Sequence, residues 1–424
     1  MSSSSSITHE TKDKDFFESK DAKVLPPDSP KGWVVVFGAF FLLMMVVGNT
    51  NAFGVFMEEY QLRVFPTTPS STISWIGSLQ FCCMCIFGVG TGILIERFRP
   101  QLIILIGAVA TGTSLLIASA CNSPIPLIFT QGILFGASGS LLLIPSMSLP
   151  GQWMQKHRAL AIGVCAAGGS LGGLWMSFAT KAIVSKLGWQ WALRINGIMV
   201  VVVGASISPL MRRRINVPKR DKIIDVLALK NIHFILLFAA GMCAAGGYYM
   251  PYYFMPSFSV VVLGLPSKWS ANISSLLNAG SVVGRIATGI LADHIGSLNA
   301  LFLTSLLSAF AVLVLWLPFK TLGTLIAAAL VFGFASGSIV SLVPVVTADL
   351  FGIKRLPSIL GLVFFSYAIG TLISSPIGGV LLDVYGHETN YTSLIIYNGV
   401  FFALSTVLLA ALRLMRNRNL FAKV

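Results

Sequence analysis

About twelve apolar runs, each long enough to cross a bilayer, decide what this chain can fold into. They lie near 33–56, 73–95, 101–120, 125–149, 158–180, 190–210, 232–256, 271–293, 299–318, 322–346, 357–382 and 393–413. A hydrocarbon core about 30 Å thick takes about 20 helical residues to cross. Inside lipid the backbone has to satisfy its own hydrogen bonds, so runs of this kind become helices. With 55% hydrophobic and only 10% charged residues, the chain is too apolar for a soluble protein of 424 residues. The sequence therefore predicts an all-α membrane protein with twelve transmembrane helices.

The net charge of +14 would suit a nucleic-acid partner if the bases shared one face. They fall instead between the apolar runs, which removes nucleic acid as a partner and leaves the lipid bilayer. With the N-terminus inside, about 22 of the 29 Lys and Arg residues fall in cytoplasmic segments and about 5 outside, as positive-inside topology requires. Both termini are thus expected in the cytoplasm, in a multi-pass protein of the plasma membrane. Residues 1–31 are Ser-rich and mixed in charge, and read as a disordered cytoplasmic tail without a cleavable signal. Residues 211–231 form a basic cytoplasmic linker with Arg212, Arg213, Arg214, Lys219, Arg220, Lys222 and Lys230, suited to anionic lipid. Residues 414–424 form a short cytoplasmic C-terminal tail.

An internal repeat divides the remainder. Thr91-Gly92-Ile93-Leu94 matches Thr288-Gly289-Ile290-Leu291, each followed two positions later by an acid, Glu96 or Asp293. Lys156-His157-Arg158 through Gly163 is answered by Lys354-Arg355 through Gly361 at nearly the same offset. Two independent matches at one spacing predict two pseudo-symmetric six-helix bundles, 32–210 and 232–413.

Within the second half, Asn278 to Gly296 is the stretch that carries chemistry. Ser274, Asn278, Ser281 and Arg285 recur at helical steps and form one polar stripe. Gly280, Gly284 and Thr288 form an adjacent small-residue stripe for close helix packing. If the helix ends near Asp293, Arg285 lies about 12 Å inside the boundary. It then faces a partner or a watery cavity, or it snorkels to the headgroups. Elsewhere, Asn49 and Asn51 in the first span are interhelical glue or cavity ligands. Pro251 in the Tyr-rich end of the seventh span breaks or kinks its helix. Tyr249 and Tyr253 belong to an interfacial belt or share a cavity face. The eleventh span, with Ser366, Tyr367, Gly370 and Pro376, reads as mobile and irregular.

Catalysis has little support. The five histidines are scattered, and Gly168-Gly-Ser170-Leu-Gly172 has a hydrolase-like spacing but lies within a span. Cys82-x-x-Cys85 lies in an apolar helix without nearby His, so neither a metal nor any other cofactor is expected. No P-loop occurs, which argues against ATP-driven pumping. No Asp or Glu falls in the middle of a span, so a buried Arg285 lacks an obvious acid. An anionic substrate would supply the missing charge.

With Gly92-xxx-Glu96-Arg97 and Gly289-xxx-Asp293 after the second and eighth of twelve spans, the chain resembles the major facilitator superfamily. Arg99 and His294 depart from its loop signature. It is more closely similar to the fungal branch of the monocarboxylate-porter family. The likeness rests on Pro26-Pro-Asp28 with Gly32-Trp33, Ala52 to Phe56, Ser74 to Gly77, Gln152-Trp153 before Arg158 to Gly163, Gly188 to Arg194, Asn278 to Asp293 and Leu350 to Gly352, across about Pro26 to Leu414. The resemblance implies carriage of small organic anions by alternating access, in many members with a proton. It implies a site lined by helices one, four, seven and ten with parts of eight and eleven, which would hold Arg285, Asn278, Ser281, Asn51, Tyr249, Tyr253 and Tyr367. Animal members carry a lysine where this chain has Asn51 and an aspartate where it has Ser281, and both departures argue against lactate-type proton coupling.

Fungal relatives also include exporters of secondary metabolites, which is the second reading. A non-transporting nutrient receptor on the same scaffold is a third, against which the short tails speak. Glu96, Arg97, Asp293 and Arg158 are the expected gating residues. Asn390 and Asn272 fit the N-glycosylation pattern on the predicted outer side.

Overall fold

The computed structural model describes residues 28–68, 70–214, 230–266, 268–318, 321–353, 356–381, 390–417, 419, 422 and 423. Among them run twelve long helices. They are α1 Pro30–Met57, α2 Ser70–Arg97, α3 Pro100–Ala118, α4 Pro124–Trp153, α5 Arg158–Leu187 and α6 Trp189–Leu210. The second six are α7 Ile232–Val261, α8 Lys268–Ile295, α9 Ser297–Trp316, α10 Leu322–Phe351, α11 Leu356–Val380 and α12 Thr392–Arg416. Eleven are long and apolar enough to cross a membrane, and α11 contributes a shorter apolar stretch, Leu356–Leu372. No strand occurs among the described residues. The disordered tail expected over 1–31 and most of the linker 211–231 lie outside the described residues.

The repeat read from sequence reappears in the packing. In the first six helices α1 packs on α5, α2 on α4 and α3 on α6. In the second six α7 packs on α11, α8 on α10 and α9 on α12, which is the same scheme six helices later. The two sets meet through α5 against α8 and α2 against α11. Glycine makes these crossings possible. A Cβ on Gly163 would run into the Arg285 carbonyl oxygen, and one on Gly361 would run into that of Gly88. Such seams replace the hydrophobic drive that helices lack in lipid, where the surroundings are as apolar as the partner. The outward faces accordingly carry exposed Phe37, Phe129, Phe178 and Val407.

Two local expectations change. Pro251 removes the donor for the Gly247 carbonyl, yet α7 continues unbroken through Pro251 and Pro256 to Val261. The break falls in α1 instead, at Ala52, which separates Pro30–Asn51 from a short helix, Phe53–Glu59. Nor is the eleventh span irregular, since α11 is a continuous helix to Val380. The Ser374 hydroxyl from α11 donates to the Gly246 carbonyl, tying α7 to α11 beside the proline.

Candidate functional site

Arg285 sits ten residues before the end of α8, about 15 Å along the helix from it. It is 3% exposed. Its Nε donates to Ser281 Oγ at 3.2 Å, Nη1 to the Ala166 carbonyl of α5 at 2.8 Å, and Nη2 to the Tyr248 hydroxyl of α7 at 3.2 Å. Every partner is neutral. The two ion pairs among the described residues, Glu59–Arg63 and Arg158–Asp349, do not include it. A guanidinium has five N–H donors, so one remains on each Nη nitrogen. Two such donors match the geometry of a carboxylate fork. At the offset of the α2 and α8 repeat, Arg285 corresponds to Gly88 in the first half, so only one half carries this charge.

The guanidinium lines a cavity between the halves. Leu43, Val47 and Asn51 come from α1, Leu143 and Met147 from α4, Ala245, Tyr248 and Tyr249 from α7, and Val340 from α10. Phe364 and Tyr367 come from α11, and sequence reasoning had not placed Phe81 of α2 or Ala166 of α5 in the wall. The cavity measures about 30 Å³ to the centre of a water molecule. One water needs about 10–15 Å³ by that measure, and small-molecule pockets run to several hundred. This conformation is therefore closed around the site.

Of the residues singled out by sequence, Asn51, Tyr249, Arg285 and Tyr367 reach the cavity. Asn51 Nδ2 also donates to the Gly169 carbonyl at 3.3 Å, and the buried Tyr367 hydroxyl has no partner. Ser281 lies behind the wall, where its hydroxyl meets Ser170 of α5 at 3.0 Å and receives Arg285 Nε. Ser170, the middle of the hydrolase-like spacing, is thus a helical interhelix contact. Asn278 shares the stripe but not the cavity, because its amide turns back onto the Ser274 carbonyl at 3.0 Å. The Tyr253 side chain lies outside the described residues. The tyrosine that binds Arg285 is Tyr248, stacked on Tyr252 with ring centroids 5.3 Å apart.

A second polar centre closes the end that carries the α2–α3 and α8–α9 turns. Asp293 of α8 reaches across to α5, where its two oxygens accept the Ala159 and Leu160 N–H groups at 3.0 Å each. Glu96 of α2 reaches across the other way and accepts the Ser358 hydroxyl in the first turn of α11. Asp293 therefore caps the start of α5 through its N–H groups, while Glu96 binds the first turn of α11 through a hydroxyl, and at both helix starts the dipole favours negative charge. Arg158 pairs with Asp349 of α10 at 2.7 Å rather than with a turn acid. Arg97 is exposed and makes none of the described contacts. Burial lowers the pKa of Arg213, and the Glu96 charge partly restores it. Asn390 and Asn272 are both exposed, the first just before α12 and the second near the start of α8.

Comparison with known proteins follows the same lines. The family model described as Major Facilitator Superfamily matches residues 35–324 and 289–420. The "MFS-type transporter opdF" of Penicillium oxalicum is 31% identical over 400 residues, 92% of this chain and 93% of that protein. The "Agnestins efflux protein AgnL12" of Paecilomyces divaricatus is 30% identical, over 94% of this chain and 92% of its own length. Among solved structures, the transporter FucP in its outward conformation superposes with a TM-score of 0.69 at 15% identity, covering 89% of this chain and 98% of FucP. That likeness concerns the fold.

Proposed function

The chain belongs to the Major Facilitator Superfamily and is a multi-pass membrane transporter, and on that premise we propose that it exports an acidic secondary metabolite by alternating access. The observation that carries the anionic part is Arg285, a buried cation whose three partners are all neutral. Leaving such a charge uncompensated is costly, and an anionic substrate supplies the counter-charge when it binds. The reading of the substrate's size is supported by Phe81, Tyr248, Tyr249, Phe364 and Tyr367, five aromatic residues lining the cavity. They favour an aromatic or conjugated acid over a small aliphatic monocarboxylate. Export as the direction draws on relatives named as efflux proteins. The Tyr367 hydroxyl and the Asn51 amide are then polar contacts for the remainder of the ligand. Tyr249 adds a ring.

Purified protein in lipid vesicles tests this with salicylate and its neutral amide, salicylamide. Protein-dependent flux of the acid, exceeding that of the amide at least tenfold, is the expected result. Equal protein-dependent rates for both would remove the anion assignment.

The end that carries Glu96, Lys156, Arg158 and Arg416 is assigned to the cytoplasm, on the strength of its bases. Exposed Arg416→Cys should resist a membrane-impermeant maleimide in intact cells, and exposed Lys186→Cys at the far end of α5 should react. The opposite pattern would invert the topology. In the assigned orientation Asn390 and Asn272 face the outside, open to glycosylation.

A further inference from the structure

Asn398 of α12 is wholly buried, and neither its Oδ1 nor its Nδ2 has a hydrogen-bond partner. Its counterpart in the first half behaves otherwise. Asn196 of α6, also followed by glycine and also buried, donates from Nδ2 to Thr180 Oγ1 at 3.3 Å. At the offset that sets Gly361 on Gly163, Thr180 falls on Gly378, so the second half has lost the hydroxyl. An orphaned amide in a packed interior costs free energy unless something pairs with it at another stage of the cycle.

The neighbour of this amide is Gly247, where a Cβ would lie 2.8 Å from Asn398 Oδ1. Gly247 is also the residue whose carbonyl Pro251 deprives of its helical donor. The amide with no partner therefore lies beside the residue whose carbonyl has lost its helical donor. At the offset shared by α5 and α11, Pro251 falls on Phe53, next to the break in α1 at Ala52. The first helix of each half thus weakens at one level: α1 is already broken there, and α7 is still continuous.

We infer that Gly247–Pro251 is a hinge in α7 and that Asn398 is its latch, donating from Nδ2 to the Gly247 carbonyl when the outer part of α7 bends. Asn398 is a positioning residue for alternation and touches no substrate. The continuous helix seen here, with the Asn398 amide unpaired, is the unlatched form.

Paired spin labels at Val261→Cys on α7 and Lys186→Cys on α5, both exposed positions, read the bend as a distance distribution in purified protein. Wild-type protein should populate a second distance, and Asn398→Ala should reduce that population about fivefold, the worth of one hydrogen bond. In a Pro251→Ala background, where the helix regains its own donor, Asn398→Ala should change nothing. Asn398→Thr keeps a hydroxyl donor and should retain the second distance, whereas Asn398→Val of similar shape should lose it. The Thr and Val variants keep the test decisive if Pro251→Ala does not fold. A single distance in wild-type protein, matching distributions for Thr and Val, or an undiminished alanine effect in the Pro251→Ala background would overturn the latch.

Discussion

Arg285→Ala is expected to abolish transport while leaving the Tm of the purified protein at or above the wild-type value. The two halves of that result have one cause. Arg285 is held by a hydroxyl on its own helix, a carbonyl of α5 and a hydroxyl of α7, with no acid among them. A buried cation with only neutral partners recovers part of its lost hydration, so removing it relieves a penalty even as three acceptors lose a donor. Ser281 keeps Ser170, which limits that loss. Arg285→Lys keeps the charge but not the planar fork, and should raise KM about tenfold or more with a smaller effect on the maximal rate. A strut would behave in the opposite way: Tm would fall by several degrees, and the surviving fraction would bind substrate normally. Wild-type affinity in monodisperse Arg285→Ala would therefore end the substrate-site assignment.

The depth of Arg285 was legible because helical rise converts sequence distance to the helix end into ångströms. Its partners were not. Tyr248, Tyr249, Tyr252 and Tyr253 fall within two turns of α7, and a helix surrounded by lipid and by other helices is apolar all round. No polar face existed to fix its rotation, so Tyr248 went unassigned beside Tyr249. The stripe through Asn278 set it on one helix face with Ser281 and Arg285 but could not say where along that face the cavity ends. Asn278 lies seven residues from Arg285, about 10 Å along the axis. The repeat was legible as two short matches, and its consequence was not. Only packing reveals that α5 meets α8 as α11 meets α2, which brings each turn acid to the other half's helix start.

That reciprocity makes the double substitution Glu96→Ala with Asp293→Ala the decisive test of the gate. The Asp293 cap contributes about 0.5–2 kcal/mol, and the Ser358 hydrogen bond to the charged Glu96 about 1.5–3 kcal/mol. Losing both should shift the balance by about 2–5 kcal/mol toward the form open at this end, a factor of roughly 30 to 4000. The Arg158–Asp349 pair also crosses the gate, but Asp349 is 44% exposed and solvent screens the attraction. Such a pair is worth at most about 1 kcal/mol and cannot hold the gate alone. The double variant should therefore stay open at the Asp293 end and turn over at least tenfold more slowly, while substrate affinity changes little. Asp293→Asn separates cap from charge, because its remaining carbonyl oxygen still accepts one N–H of the α5 start and so should retain most of the rate. Thiol labelling of Ala292→Cys, a buried helical position beside Asp293, reads the opening without substrate. If that site stays as protected in the double variant as in the wild type, the two acids do not hold the gate shut, and the glycine seams of α5 on α8 and α2 on α11 must do so unaided.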